Sequence, residues 1–442
     1  MKKFYLFIII IITILIFGFF YFYYFKTNLL PKILEKNYRI NTTYNDLRDE
    51  ILEIRKIHLE LGYIKTNLDK KMNFKKISLE NLIPYTKDFY GQYGNFERPF
   101  GYFDFYKNNI VFVSGKGKIF ISNEFRINEL DKLIFKEIDT NIEVNYDDDA
   151  KIYGEHYFKN LRRNFVRDIL ILNNEIFIVI FNEISKNKKY YYNTKVIKAK
   201  IDLNTSFLEF EDFFTMDESF LSKENGPVDF THVGGRIISY KNNNLLLSVP
   251  DYGHPNSLKA QDPNSFFGKI LLLNSNSDAK IFSMGHRNPQ GLFYDKDNDM
   301  IISSEHGPFG GDEINIIKKN NNYGWPISSY GIGSEDIKYT EHKKHGFEEP
   351  AYYFDKNCGP SEIIKIPKDF LSQFKNDYLL GCLSGLNILY GSSFYHYRLI
   401  ENKLKKVDKI FMNDRIRDLR MFEDNVLVFV LEKQHSIGFI YK

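Results

Sequence analysis

Three neighbouring motifs concentrate side chains and backbone able to do chemistry. They are Gly285-His286-Arg287-Asn288-Pro289-Gln290-Gly291, then Glu305-His306-Gly307-Pro308 running on to Gly310-Gly311-Asp312-Glu313, then Asn322-Tyr323-Gly324-Trp325-Pro326. Fixed turns, a cation, carboxylates and unshielded backbone make up a binding-site composition rather than a packing one. Arg287 can offer a planar fork of donors to an oxyanion, and Asn288 an amide N–H. The same two residues could equally stabilise a proline-containing turn. Gly307 and Pro308 expose carbonyl oxygens, the donor type a hard cation such as Ca²⁺ collects. Glu313 reads either as such a ligand or as a solvated acidic turn. Upstream, His232-Val233-Gly234-Gly235-Arg236 precedes a strand, and Asp251 closes the next one. A neutral imidazole can take a hydroxyl proton near neutral pH, yet His232 taken alone reads as a structural histidine. Near the C-terminus, Arg415 and Arg417 fall on one face of a strand. They repel each other unless an anion or carboxylates lie between them.

The elements that position these groups read as strands. Short apolar runs recur, such as Ile110–Val113, Ile119–Ile121, Ile169–Leu172, Ile176–Ile180, Leu245–Val249, Ile270–Leu273 and Val426–Val430, separated by Gly, Asn, Asp and Lys. That texture is all-β, and Asn173-Asn174 between two runs signals a hairpin turn. Some 350 to 400 residues exceed the usual single core, a limit that a repeated-blade architecture evades. A propeller is therefore expected over 82–442. Residues 27–81 form a stalk or linker, partly helical, because Leu47, Ile51, Ile54, Ile57, Leu61 and Ile64 follow helical spacing. Residues 1–26 hold an unbroken apolar run, Phe4 to Phe25, behind Lys2 and Lys3. A run of about 20 apolar residues crosses a bilayer, so an uncleaved signal anchor is expected, with the rest of the chain outside the cytoplasm. Cys358 and Cys382 read as a bridge or as two buried thiols. The formal net charge of +3 gives no pull toward nucleic acid. No Gly-x-Gly-x-x-Gly, zinc pattern or Cys-x-x-Cys-His is present. The abundant Ile, Lys and Asn carry no functional reading.

The three motifs, in this order and spacing, together with His232-Val233-Gly234-Gly235-Arg236, Ala260-Gln261-Asp262, Gly268-Lys269-Ile270 and Arg415-Ile416-Arg417-Asp418-Leu419, resemble the soluble glucose/sorbosone dehydrogenase family. Its members are aldose sugar dehydrogenases dependent on pyrroloquinoline quinone (PQQ). The resemblance covers roughly 95 to 440 and implies a six-bladed β-propeller. It implies that His232 is the catalytic base, oriented by Asp251. It places Arg287 and Asn288 at the quinone end of PQQ and Arg415 and Arg417 against its carboxylates. It assigns the carbonyls of Gly307 and Pro308 to the PQQ-associated Ca²⁺, and Glu313 with the Tyr323 carbonyl to a further, structural calcium. The implied reaction oxidises the anomeric hydroxyl of an aldose to the lactone and hands electrons to an external acceptor.

Two departures from the family pattern stand out. A basic residue contacts PQQ in relatives after the strand corresponding to Leu379–Leu383, and Ser384-Gly385 stand there instead. A Thr-Glu-Arg turn common in the first blade is replaced by Val113-Ser114-Gly115-Lys116. Lost cation contacts leave a second expectation open, an inert propeller that binds a glycan or a protein partner.

Overall fold

The computed structural model describes residues 73–83, 101–144, 164–187, 189–221, 232–308, 310–333, 339–370, 376–383, 393–412 and 414–442. Among these residues the strands form six sheets. The first blade holds Gly101–Tyr106, Asn109–Ser114, Ile119–Ser122 and Phe135–Thr140, with Phe207–Leu208 added in parallel at its outer edge. The second holds Phe165–Leu172, Glu175–Lys186, Lys189–Lys200 and Glu211–Thr215, with Phe220–Leu221 on its third strand. The third holds Ile237–Tyr240, Asn244–Val249, Lys269–Leu273 and Ala279–Met284. The fourth is Pro289–Asp295, Met300–Glu305, Glu313–Ile317 and Tyr352–Tyr353, and the fifth Pro360–Lys365, Tyr378–Cys382, Ser393–Ile400 and Lys403–Phe411. The sixth is Ile416–Phe422, Val426–Leu431, Ser436–Tyr441 and, on its outside, Asn73–Ser78. The first strand of each blade packs on that of the next, and those of blades six and one meet, so the array closes into a ring.

The strand Asn73–Ser78 corrects the end of the stalk or linker expected over 27–81, whose residues 27–72 lie outside the described residues. It pairs antiparallel with Ser436–Tyr441, so the two ends of the propeller sequence close one blade together. Phe74 stacks near Phe429, with ring centroids 6.3 Å apart. The local residues Asn73-Phe74-Lys75-Lys76 carry too little alternation to reveal a strand whose partner lies at the other end of the chain. The apolar run 4–25, the helical spacing 47–64 and Ser384 lie outside the described residues. Among the described residues no helix is long and apolar enough to cross a membrane.

Asparagine has a structural use that composition alone conceals. Asn173 and Asn174 both have positive φ, 52° and 63°, as a two-residue hairpin with a type I′ turn requires. Glu401-Asn402 and Asp424 with Glu423 turn other hairpins in the same backbone region. Cys358 and Cys382 form a disulfide that ties the chain entering blade five to its second strand.

Innermost strands of a propeller are sheet edges, and their amides facing the axis have no ladder partner. Here buried carboxylates accept several of them across blades. Asp104 Oδ2 accepts the Ile171 N–H at 2.7 Å, Asp168 Oδ2 that of Ile237 at 2.8 Å, Glu362 Oε1 that of Leu292 at 3.1 Å, and Asp418 Oδ2 that of Phe103 at 3.1 Å. Arg236 neutralises the cluster. Its Nη1 lies 3.0 Å from Asp168, 2.9 Å from Asp418 and 3.4 Å from Glu362, while Nε donates to the Gln290 carbonyl and Nη2 to that of Arg417. Burial pushes Glu362 up to about 7 against the pull of Arg236. Arg236→Met is therefore expected to cost roughly 3–5 kcal/mol, the range for breaking a buried ionic cluster. A urea midpoint equal to wild type would remove Arg236 from this role.

Candidate active site

His232 precedes the third blade in a segment pinched between its neighbours. A Cβ on Gly234 would meet the Pro289 carbonyl oxygen at 2.6 Å. Gly235 has φ +113°, and a Cβ there would press the Arg167 stem at 3.1 Å. Only glycine suits both positions, and together they let the chain carry His232 to the rim. Asp251 follows the next strand, and its amide donates to the Arg287 carbonyl at 2.8 Å.

The expected catalytic residues meet. His232 Nδ1 lies 3.3 Å from Asp251 Oδ1, and His232 Nε2 lies 2.6 Å from Arg287 Nη2. An arginine can only donate, so Nε2 accepts and Nδ1–H points to Asp251, which fixes the tautomer. Asp251 is buried and accepts three further bonds, from Gly253 N at 2.8 Å, Ser257 Oγ at 2.6 Å and Trp325 Nε1 at 2.7 Å. Burial alone would raise its pKa, but the hydrogen bond from His232 and the charge of Arg287 hold it below the ordinary value. Arg287 Nη1 also donates to the His306 carbonyl at 2.9 Å, and its guanidinium sits 5.2 Å over the Trp325 ring. Sequence alone gives Trp325 no role within Asn322-Tyr323-Gly324-Trp325-Pro326. Its being the only tryptophan in the chain was the available signal.

Around this line the charges separate. Arg415 Nε donates to Glu432 Oε2 at 2.6 Å and Nη1 to the Leu383 carbonyl at 2.6 Å. Arg417 grips both Glu432 oxygens, at 3.0 and 3.1 Å. Two arginines thus share one buried carboxylate. The salt-bridged alternative holds for these contacts. Glu432 carries no signal of this role in the sequence, because its partners lie one strand away. Asn288 is fully buried, and its Oδ1 accepts from Gly234 N at 3.0 Å and Gln290 Nε2 at 3.2 Å. His306 Nε2 bonds the Pro360 carbonyl at 2.9 Å, and burial, with repulsion from Arg287, lowers its pKa to about 3. It adds no charge to the site.

On the opposite side lies acid. Arg287, Glu305, His306, Gly307, Glu313 and Tyr323 line one cleft. Asn315 Nδ2 bridges Glu305 Oε1 at 2.7 Å and Glu313 Oε2 at 3.2 Å, while its Oδ1 is buried with no partner among the described residues. Burial, then the neighbouring Glu305, raises Glu313 well above the carboxylate range. Glu313 is thus no solvated turn. His342 Nε2 faces it at 3.6 Å, and His342 Nδ1 is buried with no hydrogen-bond partner among the described residues. A Cβ on Gly307 would meet the Gly311 carbonyl oxygen at 2.2 Å and that of Gly310 at 2.5 Å, so carbonyls crowd this turn. The Pro308 carbonyl accepts Asn357 Nδ2 at 3.0 Å and keeps a second lone pair. Among the described residues no three His, Cys, Asp or Glu side chains converge as a metal set.

Residues 171–440 match the family model described as glucose / sorbosone dehydrogenase. The aldose sugar dehydrogenase of Escherichia coli is 29% identical over 224 residues, covering 46% of this chain and 58% of that protein. The chain thus spans somewhat over half the length of that relative. Among solved structures, the apo soluble aldose sugar dehydrogenase of E. coli superposes with a TM-score of 0.62 at 18% identity, over 84% of this chain and 99% of that one. The PQQ-bound aldose sugar dehydrogenase of Streptomyces coelicolor gives 0.54 at 17% identity, over 85% and 99%. At such identities these structures speak for the fold.

The shared carboxylate is open to test. Glu432→Leu would leave Arg415 and Arg417 facing each other buried, and is expected to lose roughly 3–5 kcal/mol of stability in chemical denaturation. A loss under 1 kcal/mol would mean the two arginines do not depend on it.

Proposed function

Because the chain belongs to the glucose/sorbosone dehydrogenase family, we propose that it oxidises an aldose at the anomeric hydroxyl to the lactone, with PQQ and calcium, and with His232 as general base. The observation that carries this reading is the line Asp251–His232–Arg287. His232 Nε2 takes the hydroxyl proton in a complex where the sugar shares or replaces the Arg287 contact. Asp251, kept anionic by its four hydrogen bonds, stabilises the imidazolium that results. Trp325 and Ser257 hold that carboxylate in place. Arg287, over Trp325, turns its positive charge toward the reacting end.

The paired guanidiniums of Arg415 and Arg417 suit a quinone tricarboxylate, which these arginines would hold with Arg287 and Asn288. Bound PQQ would supply the acceptor for the hydride leaving the anomeric carbon, and the electron pair passes on to an external acceptor. Calcium also fits the residues present. The Gly307 and Pro308 carbonyls would hold the ion beside the cofactor. Glu313 and the Tyr323 carbonyl would hold a structural ion, supported by the raised Glu313 and the buried Asn315 oxygen.

We also propose that residues 4–25 anchor the chain and that the propeller lies outside the cytoplasm. The Cys358–Cys382 disulfide supports an oxidising compartment.

Dye-linked aldose oxidation by protein reconstituted with PQQ and Ca²⁺ should give turnover that chelation abolishes. His232→Ala should keep PQQ affinity and lose about 10²- to 10⁴-fold in rate. Full activity in that variant would sink the mechanism. Wild type that neither binds PQQ nor oxidises any aldose would favour the inert propeller. For topology, a reporter fused after residue 40 should work only if the reporter functions outside the cytoplasm. Activity of a cytoplasm-dependent reporter would refute the anchor.

A further inference from the structure

Arg167, on the inner strand of blade two, stands apart from the other buried arginines described above. Arg236, Arg415 and Arg417 each hold a carboxylate. Arg167 is buried, and its contacts are neutral: Nε donates to the Gly234 carbonyl at 2.9 Å and Nη2 to Gln290 Oε1 at 2.9 Å. Its Nη1 has no hydrogen-bond partner among the described residues. The guanidinium also faces like charge, since Arg417 and Arg236 both act on it, with Glu432 and Tyr102 on the other side of the balance. Burial, reinforced by those two arginines, lowers its pKa to about 10. A buried cation without a counter-charge is costly in a free protein. A bound anion would turn that cost into affinity.

Resting on the PQQ reading above, we propose that Arg167 is a third guanidinium of the cofactor cradle, donating with Arg415 and Arg417 to the carboxylates of PQQ. Three observations fix its place. Glu432, which Arg415 and Arg417 share, is among the charges that act on Arg167. Gly234, which takes its Nε–H, is two residues from His232. Gln290, which takes its Nη2–H, donates to Asn288 Oδ1, so Arg167 is tied by hydrogen bonds to a residue expected at the quinone end. Gly235 makes room for the arm, because any Cβ there would press on it. The cation so supplied stands in for the basic residue that the sequence lacks at Ser384. It does so from another blade, two residues before Ile169, in a segment that otherwise reads as a plain apolar strand.

The test uses the whole chain with Ca²⁺ and follows PQQ binding by quenching of Trp325, the single tryptophan, alongside the melting temperature of the apo protein. In Arg167→Leu the PQQ dissociation constant should rise about 10- to 100-fold, the loss of one charge-assisted contact. The apo melting temperature should stay level or rise, because an uncompensated buried charge has gone. Arg167→Lys should recover part of the affinity. A purely structural arginine would give the reverse, a lower apo melting temperature with unchanged affinity, and that result overturns the proposal. If Arg167→Leu binds as wild type does, this inference fails while the PQQ reading stands. If wild type shows no PQQ binding, both fail together.

Discussion

A ring of sheets has an inner edge, and the amides on that edge need acceptors. In this protein the need is met by Asp104, Asp168, Glu362 and Asp418, each taking a backbone N–H from a neighbouring blade. Carboxylates satisfy amides well but bring negative charge into a buried axis. Arg236 answers that charge, reaching Asp168, Asp418 and Glu362 at once and two carbonyls besides. Arg420 adds a second cation, donating to the Phe103 and Ile169 carbonyls. Much of the rest of the structure depends on this cluster, because it sets how the inner strands meet.

The active-site geometry follows from the same anchor. Arg236 is fixed to the axis, so the four residues before it have little freedom. Gly234 and Gly235 pass between Pro289 and Arg167, and His232 arrives at the rim. Pro289 begins the next blade's inner strand, which puts Arg287 and Asn288 just above that strand. Arg417 is one residue from Asp418, a member of the axial cluster, so its register is set too. Residues far apart in sequence therefore converge because each sits a short, fixed distance from one buried ionic network.

This explains what could and could not be read from the chain. The strands were legible because the apolar runs alternate with turn residues, and Asn173-Asn174 adopts the expected turn. His232, Asp251 and Arg287 were legible because their motifs are contiguous and resemble a known family. The strand Asn73–Ser78 was not, since a two-ended closure is a property of the ring and not of six residues. Arg415 and Arg417 read as a pair needing a counter-charge, but Glu432, which pairs with both, follows the neighbouring strand and has no local signal of that role. Trp325 could be found as a motif residue, while its bond to Asp251 depends on two blades meeting. Arg167 and Asp168 show the limit most plainly: adjacent charges in an apolar strand look like a solvent-facing interruption, and both prove to be buried.

Charge placement gives the site its direction. Arg167, Arg415 and Arg417 gather on one side, where the single carboxylate of Glu432 pairs with Arg415 and Arg417. Asp312, Glu305 and Glu313 gather on the other, and Glu313 is raised by burial and by Glu305. Arg287 stands between them, its amide bonded to Glu305 and its guanidinium to His232. On the proposed reading, an anion relieves the first side and a cation the second. Each then changes the field in which the other binds, so their affinities are linked, and by the same factor in both directions.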